Sequence, residues 1–177
     1  MAAWPDTPWI TPADCWLEPF QPEWAPLVVS WARDAQEVYW LAPKTPPPLS
    51  SAEVVAWRVA GHDPFMLLAV AGGPPIGYGE LNAMDGGRRS YWLGHLIVDP
   101  GRRGCGCGVR LTKLLLWEAF LRRGARRVTL VVFPENRAAV GCYRAAGMCD
   151  DGYEAHEFAA YGRRELLLRM AAERSPA

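Results

Sequence analysis

The stretch that decides the fold is residues 91–147, YWLGHLIVDP GRRGCGCGVR LTKLLLWEAF LRRGARRVTL VVFPENRAAV GCYRAAG. It opens with a strand that Pro100 ends, and a glycine-rich loop follows at 101–108. Next come a helix predicted over about 109–123 and an apolar, β-branched run at 128–132, which is typical of a strand buried on both faces. A strand, a helix and a second strand in this order predict a right-handed parallel crossover.

Shorter elements flank this crossover unit. The sequence patterns predict a strand at 16–20, a helix at 22–35, a helix from the capping box Ser50–Glu53 to about residue 60, a hairpin with strands at 65–71 and 76–82, a short helix at 136–145, and strands at 154–160 and 165–170. Mixed strands with helices on both faces predict an α/β (α+β) fold. We expect an N-terminal arm at 1–14, one domain at 15–172 and a C-terminal tail at 173–177.

Composition excludes several classes of protein. Half of the 177 residues are apolar and the formal net charge is zero, which argues against a disordered chain and against a nucleic-acid-coating surface. We see no membrane span and no signal peptide. The five cysteines are odd in number and irregularly spaced, so we expect reduced thiols in a cytoplasmic protein, without a disulfide framework or a metal site.

The glycine-rich loop carries the first chemical signal, Arg103-x-x-Gly106-x-Gly108. Glycines let several backbone N–H groups converge on one anion, and the following helix adds the positive end of its dipole. A P-loop is excluded because Gly108 is followed by Val109-Arg110 rather than by Lys-Ser/Thr. A pyrophosphate fits the loop and its flanking arginines, and a plain turn between strand and helix is the alternative.

A second signal follows in Asn136-x-x-Ala139-x-x-x-Tyr143. Asn136 is suited to cap a helix, and Ala139 and Tyr143 are four residues apart and share one helix face. A small residue leaves room for a ligand, and a phenol beyond it can donate a proton. Ordinary packing of Tyr143 in the core is the alternative.

Together, a strand that ends in Val98-Asp99-Pro100, the loop motif and the helix motif ending at Gly147 resemble the GNAT N-acetyltransferase superfamily over residues 65–170. Residues 15–60 are similar, more weakly, to the acceptor-side helices of its ribosomal-protein N-terminal and aminoglycoside acetyltransferase branches. The resemblance implies a mostly antiparallel central sheet in which one parallel central strand pair splays apart.

The resemblance also implies acetyl-CoA or another acyl-CoA as cofactor. Its pantetheine arm would pair with the strand edge Leu96, Ile97 and Val98, and its pyrophosphate would lie on the N–H groups of Arg103, Gly104, Cys105, Gly106, Cys107, Gly108 and Val109. Asn136 and Ala139 would border the pantetheine arm. Tyr143 would lie near the sulfur and protonate the leaving thiolate, while a backbone N–H of the first strand would stabilise the oxyanion.

The general base is less well specified. Some members of the family place a Glu where this chain has Trp92, so we expect Glu80, on the neighbouring strand, to serve instead, either directly or through a water. An exposed strand carboxylate is the alternative for Glu80. Strict alternation puts His95 on the face opposite Trp92, Gly94, Leu96 and Val98, which favours a structural histidine.

The acceptor side is expected to include Trp31, Tyr39, Trp40 and Glu80, with Trp57 nearby. The acidic residues Asp150, Asp151, Glu154 and Glu157 form either a mouth that attracts a cationic amine or a solvated hairpin. No metal is expected in the site.

We therefore expect an N-acetyltransferase that moves an acetyl group to a primary amine of a small molecule or peptide by direct attack in a ternary complex. A ping-pong route through Cys142 or Cys149 is disfavoured, because neither has a histidine nearby in sequence. The alternative function is a non-catalytic acyl-CoA-binding regulatory module. Neither a nucleic acid nor a membrane is expected as a partner, and a homodimer is possible.

Overall fold

The strands form one sheet in the order β1-β2-β3-β4-β5-β7-β6. The computed structural model describes residues 15–69, 72–84 and 89–174, so the predicted arm at 1–14 and residues 175–177 of the predicted tail lie outside it. The strands are β1 (Trp16–Pro19), β2 (His62–Leu68), β3 (Gly77–Ala83), β4 (Ser90–Val98), β5 (Arg127–Val132), β6 (Cys149–Phe158) and β7 (Arg163–Glu173). Every neighbouring pair is antiparallel except β4 and β5, as predicted.

The described residues form α1 (Ala25–Trp31), α2 (Ala35–Leu41), α3 (Ser51–Ala56), α4 (Cys107–Trp117) and α5 (Arg137–Ala145). One continuous helix at 22–35 is wrong, because α1 ends at Trp31 and α2 begins after Asp34. The Asp34 side chain accepts a hydrogen bond from the Glu37 N–H at 2.8 Å, which caps α2. The pair Asp34-x-x-Glu37 was the signal in the sequence for this unpredicted helix. The capping box of α3 forms as predicted.

Two apolar clusters cover the two faces of the sheet. Helices α4 and α5 pack on one face, where Gly77 and Gly79 of β3 admit side chains of α4: a Cβ on Gly79 would lie 3.0 Å from Leu115. Helices α1 and α3 pack on the other face, which carries Tyr78 in edge-to-face contact with Phe20. No helix of the described residues is long and apolar enough to cross a membrane.

The parallel pair parts soon after it begins. β4 and β5 are paired only over Ser90–Trp92 and Arg127–Thr129. Beyond that point β4 stays bonded to β3 as far as Val98, while β5 stays bonded to β7 as far as Val132. The two strands are therefore held by their outer neighbours, and a cleft opens between them in the middle of the sheet. This confirms the splayed central pair.

Arg103 fastens the loop after β4 to the helices of the α1 side. Its guanidinium donates to the Val98 carbonyl at 3.1 Å, to the Trp31 carbonyl at 2.8 Å and to Glu37 at 2.7 Å. Burial alone would raise the pKa of Glu37, but hydrogen bonds from Arg103 and Arg33 outweigh burial and lower the pKa to about 2. The loop, the end of α1 and the start of α2 are thus joined through the one guanidinium of Arg103.

We expect Glu37→Gln to lower the free energy of unfolding at pH 7 by about 2 kcal/mol, because the half-buried guanidinium of Arg103 loses its charged acceptor. The pKa of Glu37 is lowered in the folded state, so its contribution is complete above 4.5 and is lost as the pH falls toward about 2. The difference between wild type and variant should therefore shrink below pH 4.5 in urea unfolding followed by tryptophan fluorescence. Glu23→Gln, at an exposed carboxylate, is the control; a difference that stays constant down to pH 3 would contradict the assignment.

Candidate active site

The loop between β4 and α4 forms a cradle of backbone amides. Gly104 and Gly106 adopt left-handed φ values of +76° and +79°, and Gly106 is the N-cap of α4. The N–H of Arg110 donates to the Gly106 carbonyl at 3.0 Å and makes the first bond of the helix. The amides of residues 107–109 therefore have no acceptor within α4. A Cβ on Gly104 or Gly106 would meet no atom within 4 Å, so the space beside the loop is open, and these features fit a bound pyrophosphate.

Arg103 was expected to present its N–H to the cofactor, but the structure uses this residue differently. Its N–H points to the Pro100 carbonyl at 3.4 Å, and its side chain holds the loop as described above. Arg103 is thus a positioning residue for the cradle in this structure.

The cradle touches α5 through Gly108. A Cβ there would lie 3.0 Å from the Cys142 sulfur, so a larger residue at this position would require the Cys142 side chain or the helices to shift. Burial raises the pKa of the Cys142 thiol, and it also raises the pKa of Cys107. Cys105 is exposed, whereas Cys149 is half-buried. The thiols of Cys107 and Cys142 therefore lack the lowered pKa of an activated nucleophile.

The helix motif lies on the α4 face of the sheet, beside the cleft-forming strands. The Asn136 side chain caps α5 by accepting from the Ala139 N–H at 3.2 Å, as predicted. Ala139 and Tyr143 both pack against the α4 cluster. Burial, with a smaller effect of Cys142, raises the pKa of Tyr143. The phenol therefore stays protonated at neutral pH and has a proton to donate.

Glu80 lies on the other face and is fully buried. Its carboxylate accepts from the Tyr78 hydroxyl at 2.8 Å, from the Asn82 amide at 3.0 Å and from Nδ1 of His95 at 2.8 Å. Burial would raise the pKa of Glu80, but these hydrogen bonds, that of His95 first, lower it. Glu80 is thus an ionised carboxylate enclosed by the protein, not the exposed strand carboxylate that the sequence left open.

The prediction that His95 lies on the opposite face from Trp92 and Gly94 is wrong. Tyr78 is opposite Ile97 and Glu80 is opposite Gly94, so β4 carries one extra residue in a β-bulge. His95 lies in that bulge with a left-handed φ of +46°. The extra residue resets the alternation of β4, and His95 joins the face that carries Glu80.

The four residues expected at the acceptor side are not equally accessible. Trp31 is only 3% exposed, and its side chain packs in the α1-side core. Its carbonyl accepts a hydrogen bond from Arg103 of the loop after β4. Tyr39 is 4% exposed, and its hydroxyl donates to Glu165 of β7 at 3.0 Å. Trp40 is half-buried, and its indole N–H is buried without a partner among the described residues. The fourth, Glu80, is enclosed as described.

The acidic run of β6 is largely paired with arginines. Asp150 bonds Arg144 at 2.6 Å, and Asp151 bonds Arg169 at 2.7 Å. Glu154 also bonds Arg169, at 2.8 Å. These ion pairs neutralise most of the run, so it does not form a strongly acidic mouth.

Sequence reasoning missed Tyr78, Asn82 and the role of Trp57 around Glu80. The signal was available for two of them, because Tyr78, Glu80 and Asn82 alternate along one strand and therefore share a face. Trp57 comes from a distant segment, and only the folded structure brings it to His95.

Comparison with known proteins agrees with this arrangement. Residues 9–148 match the family model of the acetyltransferase (GNAT) family. The fold is similar to that of spermidine N-acetyltransferase from Vibrio cholerae in complex with CoA and spermine, with a TM-score of 0.75 and 20% sequence identity over 92% of this chain and 96% of that chain. It is also similar to AAC(6')-Ib in complex with paromomycin and acetyl-CoA, with a TM-score of 0.67 and 18% identity over 91% and 94% of the two chains. Since the family model spans most of the sequence and its characteristic cleft and loop are present, the chain belongs to the GNAT acetyltransferase family.

Proposed function

We propose that this protein transfers an acetyl group from acetyl-CoA to a primary amine by direct attack in a ternary complex. The observation that carries the proposal is the cleft between β4 and β5, which opens beside the amide cradle at the start of α4. An unpaired strand edge and an anion site at one end of it suit an extended ligand with a pyrophosphate head.

The residues that would hold the cofactor follow from this arrangement. The amides from Gly104 to Val109 would bind the pyrophosphate. The edge of Leu96–Val98 would pair with the pantetheine arm as an added strand does. Asn136 and Ala139 would border the arm from α5. Arg103 would keep the cradle in place through its bonds to Val98, Trp31 and Glu37.

When bound, acetyl-CoA supplies an acetyl group activated as a thioester. Tyr143, whose phenol is protonated at neutral pH, would act as general acid toward the leaving sulfur. A backbone N–H of β4 would stabilise negative charge that develops on the thioester oxygen. Tyr143 packs on the α4 face and Glu80 on the α1 face, so the acceptor reaches the cleft from the α1 side.

A small-molecule amine is the acceptor class that we favour over a peptide. The two similar structures reported above contain spermine and paromomycin, both of which are small molecules that carry several amino groups. The unpartnered indole N–H of Trp40 and the hydroxyl of Tyr161, likewise buried without a partner among the described residues, belong to the wall formed by α2 and the β6–β7 hairpin. We propose that Trp40 contacts the acceptor, with Trp31 and Tyr39 supporting the wall from behind.

Several further assignments belong to the same proposal. A cytoplasmic location is supported by the reduced state of the cysteines among the described residues. One domain at 15–172 is supported by the single sheet that runs from β1 to β7. A homodimer stays a prediction from the resemblance alone.

A second candidate is a non-catalytic acyl-CoA-binding module. It is favoured by Trp92, which occupies the position where some family members carry a Glu, and whose ring lies over Gly94 so closely that a Cβ there would be 2.7 Å away. The two functions differ in turnover: the binding module predicts cofactor binding without acetyl transfer to any member of a broad amine panel.

We expect acetyl-CoA and CoA to bind with micromolar affinity in calorimetric titration, and ATP not to compete. Gly106→Ala should weaken binding of acetyl-CoA about tenfold, because it strains a left-handed position and adds a methyl group beside the cradle. Gly124→Ala is the matched control, since Gly124 also has a left-handed φ, +63°, but lies at the far end of the crossover. Equal losses in both variants would contradict the cradle.

We expect Tyr143→Phe to lower kcat at least tenfold while the affinity for acetyl-CoA stays unchanged, because the ring still packs but the proton is gone. Tyr153→Phe, at a tyrosine that is 59% exposed, should have no effect. Unchanged kcat in Tyr143→Phe would remove the phenol from the chemistry.

A ternary complex predicts intersecting initial-rate lines when acetyl-CoA and amine are varied together. Cys142→Ala should keep this pattern, since the pKa of Cys142 is raised rather than lowered. Parallel lines that are lost in Cys142→Ala would establish an acyl-cysteine route instead.

A further inference from the structure

The geometry points to His95 as the general base that deprotonates the acceptor amine, with Glu80 as the residue that positions it. This inference rests on the proposed acetyl transfer and names a different base from the one that the sequence suggested. The carboxylate of Glu80 is fully buried and already accepts three hydrogen bonds, so it does not reach a substrate.

The β-bulge brings His95 to the cleft. It inserts one residue into β4 directly before Leu96–Val98, the edge proposed for the pantetheine arm. A histidine with a φ of +46° is strained, and such positions persist only where the surrounding structure enforces them. In this backbone conformation the imidazole lies on the acceptor side, next to the strand edge where the thioester would lie.

The contact with Glu80 defines which ring nitrogen is free to act. An ionised carboxylate only accepts hydrogen bonds, so Nδ1 of His95 carries the proton in the 2.8 Å contact. In the neutral ring Nε2 then has the lone pair. A base of this kind, oriented by a carboxylate on the opposite nitrogen, is ready to accept a proton from a substrate.

Trp57 holds the ring from the other side. Its indole stacks on the imidazole with centroids 4.0 Å apart and planes 7° from parallel. The indole is itself fixed by donating to the Thr45 hydroxyl at 3.2 Å. An aromatic face also stabilises the imidazolium that forms when Nε2 takes a proton.

Nε2 is accessible. The side chain of His95 is 20% exposed, and none of the described residues forms a hydrogen bond with Nε2. This nitrogen is not one of the buried atoms without a partner, so it is open to solvent. The titratable groups that face the dyad are Tyr78 on β3 and His62 on β2, whose Nδ1 lies 4.0 Å from Glu80. Trp57, which stacks on His95 from the end of α3, carries no charge.

The protons balance in the proposed step. The ammonium substrate gives one proton to Nε2 of His95 and becomes a neutral amine, which forms the new C–N bond as the C–S bond breaks. The sulfur takes a proton from Tyr143. The nitrogen loses its second proton as the amide forms, which restores the phenol through solvent, and His95 releases its proton to water. The net reaction yields the acetamide, free CoA thiol and one proton.

The test begins with His95→Asn. Asparagine tolerates a left-handed φ and keeps an N–H donor for Glu80, but it has no basic nitrogen. We expect kcat/KM for the amine to fall about 100-fold or more at pH 7, with unchanged acetyl-CoA affinity. The loss should shrink at high pH, where the amine is already neutral. His62→Asn tests the neighbouring imidazole: a larger loss there than in His95→Asn would overturn the assignment.

A second measurement reads the dyad without turnover. Nitrogen-15 NMR of the imidazoles, with His95→Asn used to assign the signal, should show the neutral ring of His95 protonated on Nδ1. In Glu80→Gln this preference should be lost and kcat should fall, while acetyl-CoA still binds. A proton on Nε2 in the wild type overturns the inference, whether or not the enzyme turns over.

The outcomes separate the two proposals. If the wild type acetylates an amine and His95→Asn stays within threefold of its kcat/KM, the base assignment fails and the acetyltransferase stands. If the wild type acetylates no amine of the panel, the proposed function fails, and the base assignment fails with it even where the tautomer is as expected.

Discussion

The parting of β4 from β5 is the constraint on which the rest of this structure depends. The ladder between them ends at Trp92 and Thr129, while β4 stays paired with β3 as far as Val98 and β5 stays paired with β7 as far as Val132. The unpaired edges that result are costly in a closed fold, because backbone N–H and C=O groups need partners. An extended ligand bound in the cleft would supply them. The loop, α4 and α5 are arranged around the open end of this cleft.

Two sets of polar contacts, those of Arg103 and those of Glu80, fix the elements that border the cleft. Arg103 connects the cofactor loop to α1 and α2 through carbonyl oxygens and Glu37. Glu80 connects β3 to the bulge of β4 through His95. Arg103 is half-buried and Glu80 is fully buried, so each charge is at least partly withdrawn from water, where the loss of a hydrogen-bond partner is costly. The end of β4 and its bulge are therefore held by two separate ionic contacts, both on the α1 side of the sheet.

The crossover unit was predictable because its signals are local. A strand-ending proline, glycines at fixed spacing and an asparagine cap act within a few residues of their own position. The loop, the crossover and the Asn136 cap were predicted in this way, whereas the splayed pair and the role of Tyr143 were implied by the resemblance to the GNAT superfamily. Helix α2 could also have been predicted, since Asp34 and Glu37 form a local cap. The acceptor wall was not, because the exposure of Trp31 and Tyr39 depends on helices packing from elsewhere in the chain.

The sequence by itself determined the order of elements, the anion cradle and the face shared by Ala139 and Tyr143, because each depends on backbone preferences of neighbouring residues. Only the tertiary structure decided that Glu80 is enclosed, that His95 bonds to it, and where His95 points. A single inserted residue in β4 reverses the alternation beyond it, and no periodicity in the sequence marks that bulge. Trp57, which donates a hydrogen bond to Thr45, reaches His95 only through the packing of the α1–α3 layer on the sheet. The cofactor side therefore follows from local chemistry, whereas the base and its partners follow from long-range packing.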